Sequence, residues 1–295
     1  MKGTLIKADK DCFAVNQTIY SNADTNLNFD WQKRLDDTRW SDDCYWVMWE
    51  SKRVGGIIVL DDCTRFPFLI EPFCDRALFW RIVIRYLTEN KPGITKLYSV
   101  PDTDVPVLLS YGYKVEQSRR MMCRPAELLP LELDEQFTCH TPDKDKDLEE
   151  MTDVIIKGYA GGVDYSLVVD MDDESHRNEA RNDLVYFLDG YATSDTLHYS
   201  VLIREKASNR VVALCMAGIH PKEANPHFSY ISDITVLPEY RGKGLAKFMI
   251  QHAVTKAAAT CDAVGLCVTV GNKAEALYRE MGFWGGPRFT SMSKL

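Results

Sequence analysis

The stretch Val236-Leu237-Pro238-Glu239-Tyr240-Arg241-Gly242-Lys243-Gly244-Leu245-Ala246 decides how this 295-residue chain is read. Before it, Ser229–Val236 reads as a strand. After it, Ala246, Met249, Ile250, Ala253 and Ala257 recur at helical spacing over Leu245–Ala259. A strand therefore runs through a glycine-rich turn into a helix. Gly242 and Gly244 admit left-handed backbone and let the main chain come close to a ligand. The first amides of a helix have no partner inside it, and its dipole is positive at that end. Together these features make a site for a diphosphate, to which Arg241 and Lys243 can add charge. A Walker A loop, G-x-x-x-x-G-K-[ST], is absent. A dinucleotide loop, G-x-G-x-x-G, fails at Lys247, which would disturb close helix–strand packing. Asp262 precedes the next strand instead of ending it, so it would not meet a ribose. What remains is Arg241-x-x-Gly244-x-Ala246.

Outward from this turn, strand and helix signals alternate. Leu197–Arg204 and Val211–Gly218 read as strands around the turn Lys206–Asn209. Val264–Val270 reads as a strand and Lys273–Met281 as a helix stopped by Gly282, with a last strand near Phe289–Met292. The first half repeats this order. Tyr45–Glu50 and Val54–Leu60 are strands. Phe79, Ile82, Val83, Tyr86 and Leu87 form a helical stripe. Lys96–Val100 is a strand, Val105–Leu109 a short helix, and Val115–Met122 a strand. A shift of about 170 positions brings Tyr111-Gly112-Tyr113 onto Met281-Gly282-Phe283. Pro125–Gln136, with two prolines and several acids, reads as a linker. The chain thus divides into 1–130, a linker 131–137, and 138–295.

At Arg241–Ala246 the sequence resembles the GNAT superfamily of N-acetyltransferases. The resemblance extends to Val270-Gly271-Asn272-Lys273-Ala274-Glu275-Ala276-Leu277-Tyr278-Arg279-Glu280-Met281-Gly282-Phe283, which is similar to that family's N-x-x-A-x-x-L-Y-x-x-x-G-F motif. It covers Ser229–Met292 clearly and extends back to Phe137. It implies an α/β (α+β) chain of two tandem GNAT-like domains, each a mixed sheet flanked by helices. It implies acetyl-CoA as cosubstrate, with its pantetheine arm along the backbone of Ile234 and Val236 and beside Asn272. The diphosphate would lie on the amides of Arg241, Gly242, Lys243, Gly244, Leu245 and Ala246. Tyr278 would protonate the leaving thiolate. Asp233, the one carboxylate in its strand, is a candidate base, although polyamine-acetylating relatives carry theirs one position earlier, where this chain has Ser232. The implied reaction is direct attack of a primary amine on the thioester in a ternary complex. A non-catalytic CoA-binding sensor or interaction protein is the alternative.

The first half lacks these cofactor features. Its corresponding turn carries Glu71, Pro72 and Asp75 and no glycine; Asp102 stands where Asn272 does, and Leu108 where Tyr278 does. Carboxylates would repel phosphate, so this half reads as a degenerate copy. Composition agrees with a globular enzyme: 45% hydrophobic, 26% charged, with 35 basic against 43 acidic residues. A net charge of −8 argues against a uniformly basic nucleic-acid binder. Nine cysteines without a C-x-x-C pair point to a reducing compartment, the cytoplasm, and no apolar run is long enough for a membrane span. His220 and His227 flank a loop without further ligands, so no metal is expected. The acceptor is expected to be an amine, a small molecule ahead of a protein. The acidic run Asp164, Asp170, Asp172, Asp173 and Glu174 could attract its cationic form.

Overall fold

Strands buried along most of their length, such as Val211–Gly218 and Val54–Val59, and apolar stripes on the helices build the core of each half. A computed structural model describes residues 3–21, 42–163, 173–191, 195–219 and 228–294. The chain splits into two compact units, Met1–Met121 with Gly286–Leu295, and Met122–Gly285. The final strand, expected to complete the second half, therefore belongs to the first unit.

In the first unit the strands are β1 (Thr4–Lys7), β2 (Cys44–Trp49), β3 (Lys52–Val59), β4 (Cys63–Leu69), β5 (Lys96–Pro101), β6 (Lys114–Pro125) and β12 (Trp284–Ser293). Their spatial order is β1-β2-β3-β4-β5-β12-β6. Helix α1 is Lys10–Tyr20, α2 is Arg76–Asn90 and α3 is Val105–Ser110. Successive residues of β2 and β3 face opposite sides of the sheet. Val47 and Ile57 join the core under α2 and α3, while Trp46 and Ile58 join Phe13 of α1 on the other face. Of the stripe expected on α2, Phe79, Ile82, Val83 and Leu87 are buried, together with Trp80, while Tyr86 is only half-buried against the same core. β4 pairs in parallel with β5 from Cys63–Lys96 to Thr64–Leu97, and β5 pairs antiparallel with β12, Val100 opposite Thr290. Ser118 of β6 and Thr290 of β12 share a hydroxyl–hydroxyl hydrogen bond of 2.8 Å.

In the second unit the strands are β7 (Phe137–His140), β8 (Val201–Glu205), β9 (Val211–Gly218), β10 (Phe228–Val236) and β11 (Ala263–Thr269), in that spatial order. Its helices are α4 (Lys144–Tyr159), α5 (Asp173–Tyr186), α6 (Leu245–Ala257) and α7 (Ala274–Glu280). The strand expected over Leu197–Arg204 begins only at Val201. Leu197–Tyr199 forms a 3₁₀ turn instead, because the Tyr199 ring is buried and its hydroxyl bonds Thr260. The linker segment is a strap held to this unit. Ala126 N donates to Asp262 O at 2.9 Å, Leu129 N to Thr255 Oγ1 at 3.0 Å, and Leu129 and Leu133 pack on the core.

α4 is anchored by a buried charge cluster. Asp147, 3% exposed, accepts from Arg204 at 2.7 Å and from the Asp143 amide at 2.8 Å, and pairs with His140 at 3.2 Å. Arg204 also reaches Glu150 at 3.0 Å, and Glu150 accepts from Val211 N. Burial raises the proton affinity of Asp147, but the Asp143 amide, Arg204 and His140 outweigh it and hold this carboxyl below the usual range. Among the described residues no helix is long and apolar enough to cross a membrane. None of the nine cysteines is in a disulfide.

Candidate functional site

The site is built where β10 and β11 part. The two strands pair in parallel from Phe228–Ala263 to Ile231–Leu266; among the described residues the pairing ends there. At that point β10 bulges against β9, between Ile231 and Asp233, and then runs on to Val236. Asp233, Ile234 and Val236 all lie beyond the bulge, opposite Met216, Cys215 and Ala213 of β9. The bulge re-aims this half of the strand, a common arrangement beside active sites.

The loop after β10 passes through a 3₁₀ turn, Pro238–Tyr240, into α6. Gly242 and Gly244 have φ of +78° and +77°, and nothing stands within 4 Å of where a Cβ would be on either. Gly244 is the N-cap of α6 and supplies no side-chain acceptor. Among the described residues the Gly242, Lys243 and Gly244 amides make no hydrogen bond. An exposed row of donors at the positive end of a 13-residue helix is what a diphosphate needs. Leu245 is buried and roots the helix, and Ala246 packs against the same core. Lys243 holds its ammonium over Tyr240 and Phe137, 5.2 and 5.8 Å from the ring centres.

Arg241 behaves differently from its neighbours. Its guanidinium donates to the carbonyls of Gly158 (2.5 Å, from Nη2) and Val236 (3.3 Å, from Nε), and its own amide donates to Pro238 O. Gly158 belongs to the last turn of α4, and Tyr159 beside it donates its hydroxyl to Asp233 Oδ1 at 3.3 Å. Sequence reasoning missed Tyr159. No motif marks it, and only the packing of α4 on β10 brings it to Asp233.

Asn272 and Tyr278 flank the end of β11. The Asn272 side-chain oxygen accepts from Ala274 N at 2.9 Å, which ties it to the start of α7 and fixes its carboxamide. Tyr278 is 7% exposed and packs on Phe283, ring centres 6.1 Å apart. The C-terminal end of α7 is held by Arg124, whose guanidinium bonds Met281 O and Glu127. Of the acidic run, Asp164, Asp170 and Asp172 lie outside the described residues, as do His220 and His227. Among the described residues no group of three or more His, Cys, Asp or Glu is arranged to hold a metal.

The first unit repeats the frame without the loop. β4 also parts from β5 after two paired positions, and bulges against β3 where Phe66 takes a φ of +51°. There, however, the helix that follows is capped by a carboxylate: Asp75 accepts from Leu78 N at 2.7 Å. Arg76 pairs with the buried Asp104 and lies 3.5 Å from Glu71. Burial pushes the Asp104 carboxyl up, against the pull of Arg76. Leu108 is fully buried, and Asp102 lies 3.8 Å from Arg288.

Residues 166–283 match the family described as Acetyltransferase (GNAT) family. Among solved structures, a GCN5-related N-acetyltransferase from Sphaerobacter thermophilus is similar over 99% of this chain and 95% of its own, with a TM-score of 0.63 at 14% identity. A GNAT-family acetyltransferase from Colwellia psychrerythraea is similar over the whole of both chains, with a TM-score of 0.55 at 14% identity. A tandem GNAT protein from the clavulanic acid biosynthesis pathway is similar over 99% of this chain and 97% of its own, with a TM-score of 0.54 at 10% identity. At these identities the likeness is one of fold. No curated protein matches the sequence. The family match at residues 166–283 and the structural likenesses agree on one fold: the chain has the mixed α/β architecture of solved GNAT proteins, a tandem one among them.

Proposed function

We propose that the second unit transfers an acetyl group from acetyl-CoA to a primary amine, by direct attack within a ternary complex. The observation that carries this reading is the loop at the head of α6, with its two left-handed glycines, open space on both, and amides without partners. The amides of Gly242 to Ala246 hold the diphosphate. The backbone of β10 beyond its bulge, at Ile234 and Val236, and Asn272 on the facing side hold the pantetheine arm. The amine nitrogen bonds to the thioester carbonyl carbon, the carbon–sulfur bond breaks, and the sulfur takes a proton. Tyr278 supplies that proton, since a phenol with an ordinary pKa of about 10 is protonated at neutral pH. Asp233, steadied by Tyr159, receives the proton that the amine loses, directly or through water. The acceptor is an amine-bearing small molecule ahead of a protein.

One chain binds one CoA. In the first unit the Asp75 carboxylate caps α2 by accepting from Leu78 N, and the Arg76–Asp104 pair stands at the heads of α2 and α3. A second anion there would meet a carboxylate in place of free amides. Nine cysteines with no disulfide among them suit a reducing, cytoplasmic setting.

A panel of primary amines with acetyl-CoA, followed by thiol release, tests the activity, and calorimetry with CoA tests the stoichiometry. Turnover of one amine class with saturation at one CoA per chain is expected. Tight CoA binding without turnover of any amine would favour a CoA-binding sensor, and absence of CoA binding would remove both readings.

A further inference from the structure

We propose that Arg241 is a positioning residue for the acceptor side of the site: a strut from the cofactor loop to the end of α4, and not a diphosphate ligand. The inference rests on the reading of the α6 loop as the CoA site. The guanidinium bonds two backbone carbonyls, those of Gly158 and Val236. Gly158 O is among the last carbonyls of α4, at the negative end of that helix, where a fixed cation is favoured. The fork spans the gap between the two elements and leaves the anion-binding amides of Gly242 to Ala246 to the backbone alone.

What the strut holds is a turn with a second contact to the reacting side. Gly158 lies so close to β10 that an added Cβ would stand 2.0 Å from Thr235 Oγ1. The next residue, Tyr159, reaches Asp233. Three ties thus fasten one turn of α4 to the half of β10 beyond the bulge: guanidinium to carbonyl, backbone against Thr235, and phenol to carboxylate. The first of these originates in the cofactor loop. A ligand on that loop and an amine at Asp233 are therefore linked through Arg241, and losing the side chain loosens the acceptor side while the donors for the diphosphate stay in place.

The test uses the full chain with CoA as probe. Two hydrogen-bonded amides report the turn: Ala160 N, on Ile156 O at 3.2 Å, and Gly162 N, on Tyr159 O at 2.9 Å. Arg241→Met should raise hydrogen exchange at both by tenfold or more, while CoA affinity falls by no more than about fivefold, the effect of one lost charge near the diphosphate. Arg241→Lys keeps the charge and can reach one carbonyl. It should retain CoA affinity and restore part of the protection. Lys243→Met removes a charge from the same loop without touching α4, and should leave exchange at Ala160 and Gly162 unchanged.

Abolished CoA binding in Arg241→Met with unchanged exchange would make Arg241 a phosphate ligand and overturn the proposal. So would equal loosening of α4 in Lys243→Met. Should Arg241→Met not fold, the Arg241→Lys exchange pattern decides by itself. Failure of the wild-type chain to bind CoA would sink the functional reading, but the exchange comparison without CoA would still judge the strut.

Discussion

Gly158→Ala sets two known effects against each other at one position. In a helix, alanine is favoured over glycine by about 1 kcal/mol. Here the new Cβ would stand 2.0 Å from Thr235 Oγ1, 3.2 Å from its Cβ and 3.3 Å from its Cγ2. Rotating Thr235 about χ1 can remove the oxygen from that place. The Cβ cannot leave without moving β10, and Thr235 is only 5% exposed, so there is no solvent to rotate into. Overpacking of this kind costs about 1–3 kcal/mol. The cost therefore equals or outweighs the propensity gain, and Gly158→Ala should destabilise the chain by up to about 2 kcal/mol, read as a lower urea midpoint by circular dichroism. Thr235→Ala removes the two offending branch atoms and leaves only the 3.2 Å neighbour. The double variant should accordingly recover at least about 1 kcal/mol relative to the sum of the single changes, since contacting residues couple. A stabilised Gly158→Ala, or additivity within about 0.5 kcal/mol, would refute the account of how α4 sits on β10.

Gly244→Glu should abolish CoA binding in calorimetry while circular dichroism stays native, because it puts a carboxylate and a strained left-handed residue at an open loop position. Tyr278→Phe should lower kcat by up to ~10²–10⁴ with little change in CoA affinity, and a kcat within twofold of wild type would remove Tyr278 as the acid. For Asp147 the sign follows from its depressed folded pKa. Its contribution is full above the unfolded carboxylate value near 4 and is lost as pH falls through the folded one. Urea midpoints of wild type should thus drop as pH falls below about 4, and those of Asp147→Asn should fall less steeply; parallel profiles would contradict the cluster's role.

Local periodicity made several elements legible. The α2 stripe, the strand Val211–Gly218 and the helix beginning at Leu245 are read directly from spacing, and the glycine turn marks itself by composition. β1 and α1 escaped, because Thr4–Lys7 buries only Leu5 and α1 exposes much of its length. β4 escaped because Arg65 and Pro67 interrupt its pattern and its bulge breaks the alternation. Pairing partners are beyond any local signal: nothing in Phe289–Met292 says that it will lie against β5. The same limit hid the use of Arg241. A loop arginine beside glycines reads as a phosphate ligand until the carbonyl of a residue 83 positions away is found against it. The strap 126–136 reads as a free linker in the sequence because its anchors, Thr255 and Asp262, lie still farther away along the chain.

The position of β12 governs how the protein can be made. Val100 of β5 waits for Thr290, 190 residues later, before its side of the first sheet is covered. On the ribosome, the first unit is therefore synthesised with an open sheet edge, and it keeps that edge while nearly the entire second unit emerges. An uncovered strand edge is a template for wrong pairing, and nascent multidomain chains are vulnerable to such errors. The usual order, in which the N-terminal domain finishes folding before the next begins, is closed to this chain: a strand translated after the second unit completes the first. For the same reason a gene cut at residue 130 yields a first fragment without β12, missing a strand that no length of linker can replace.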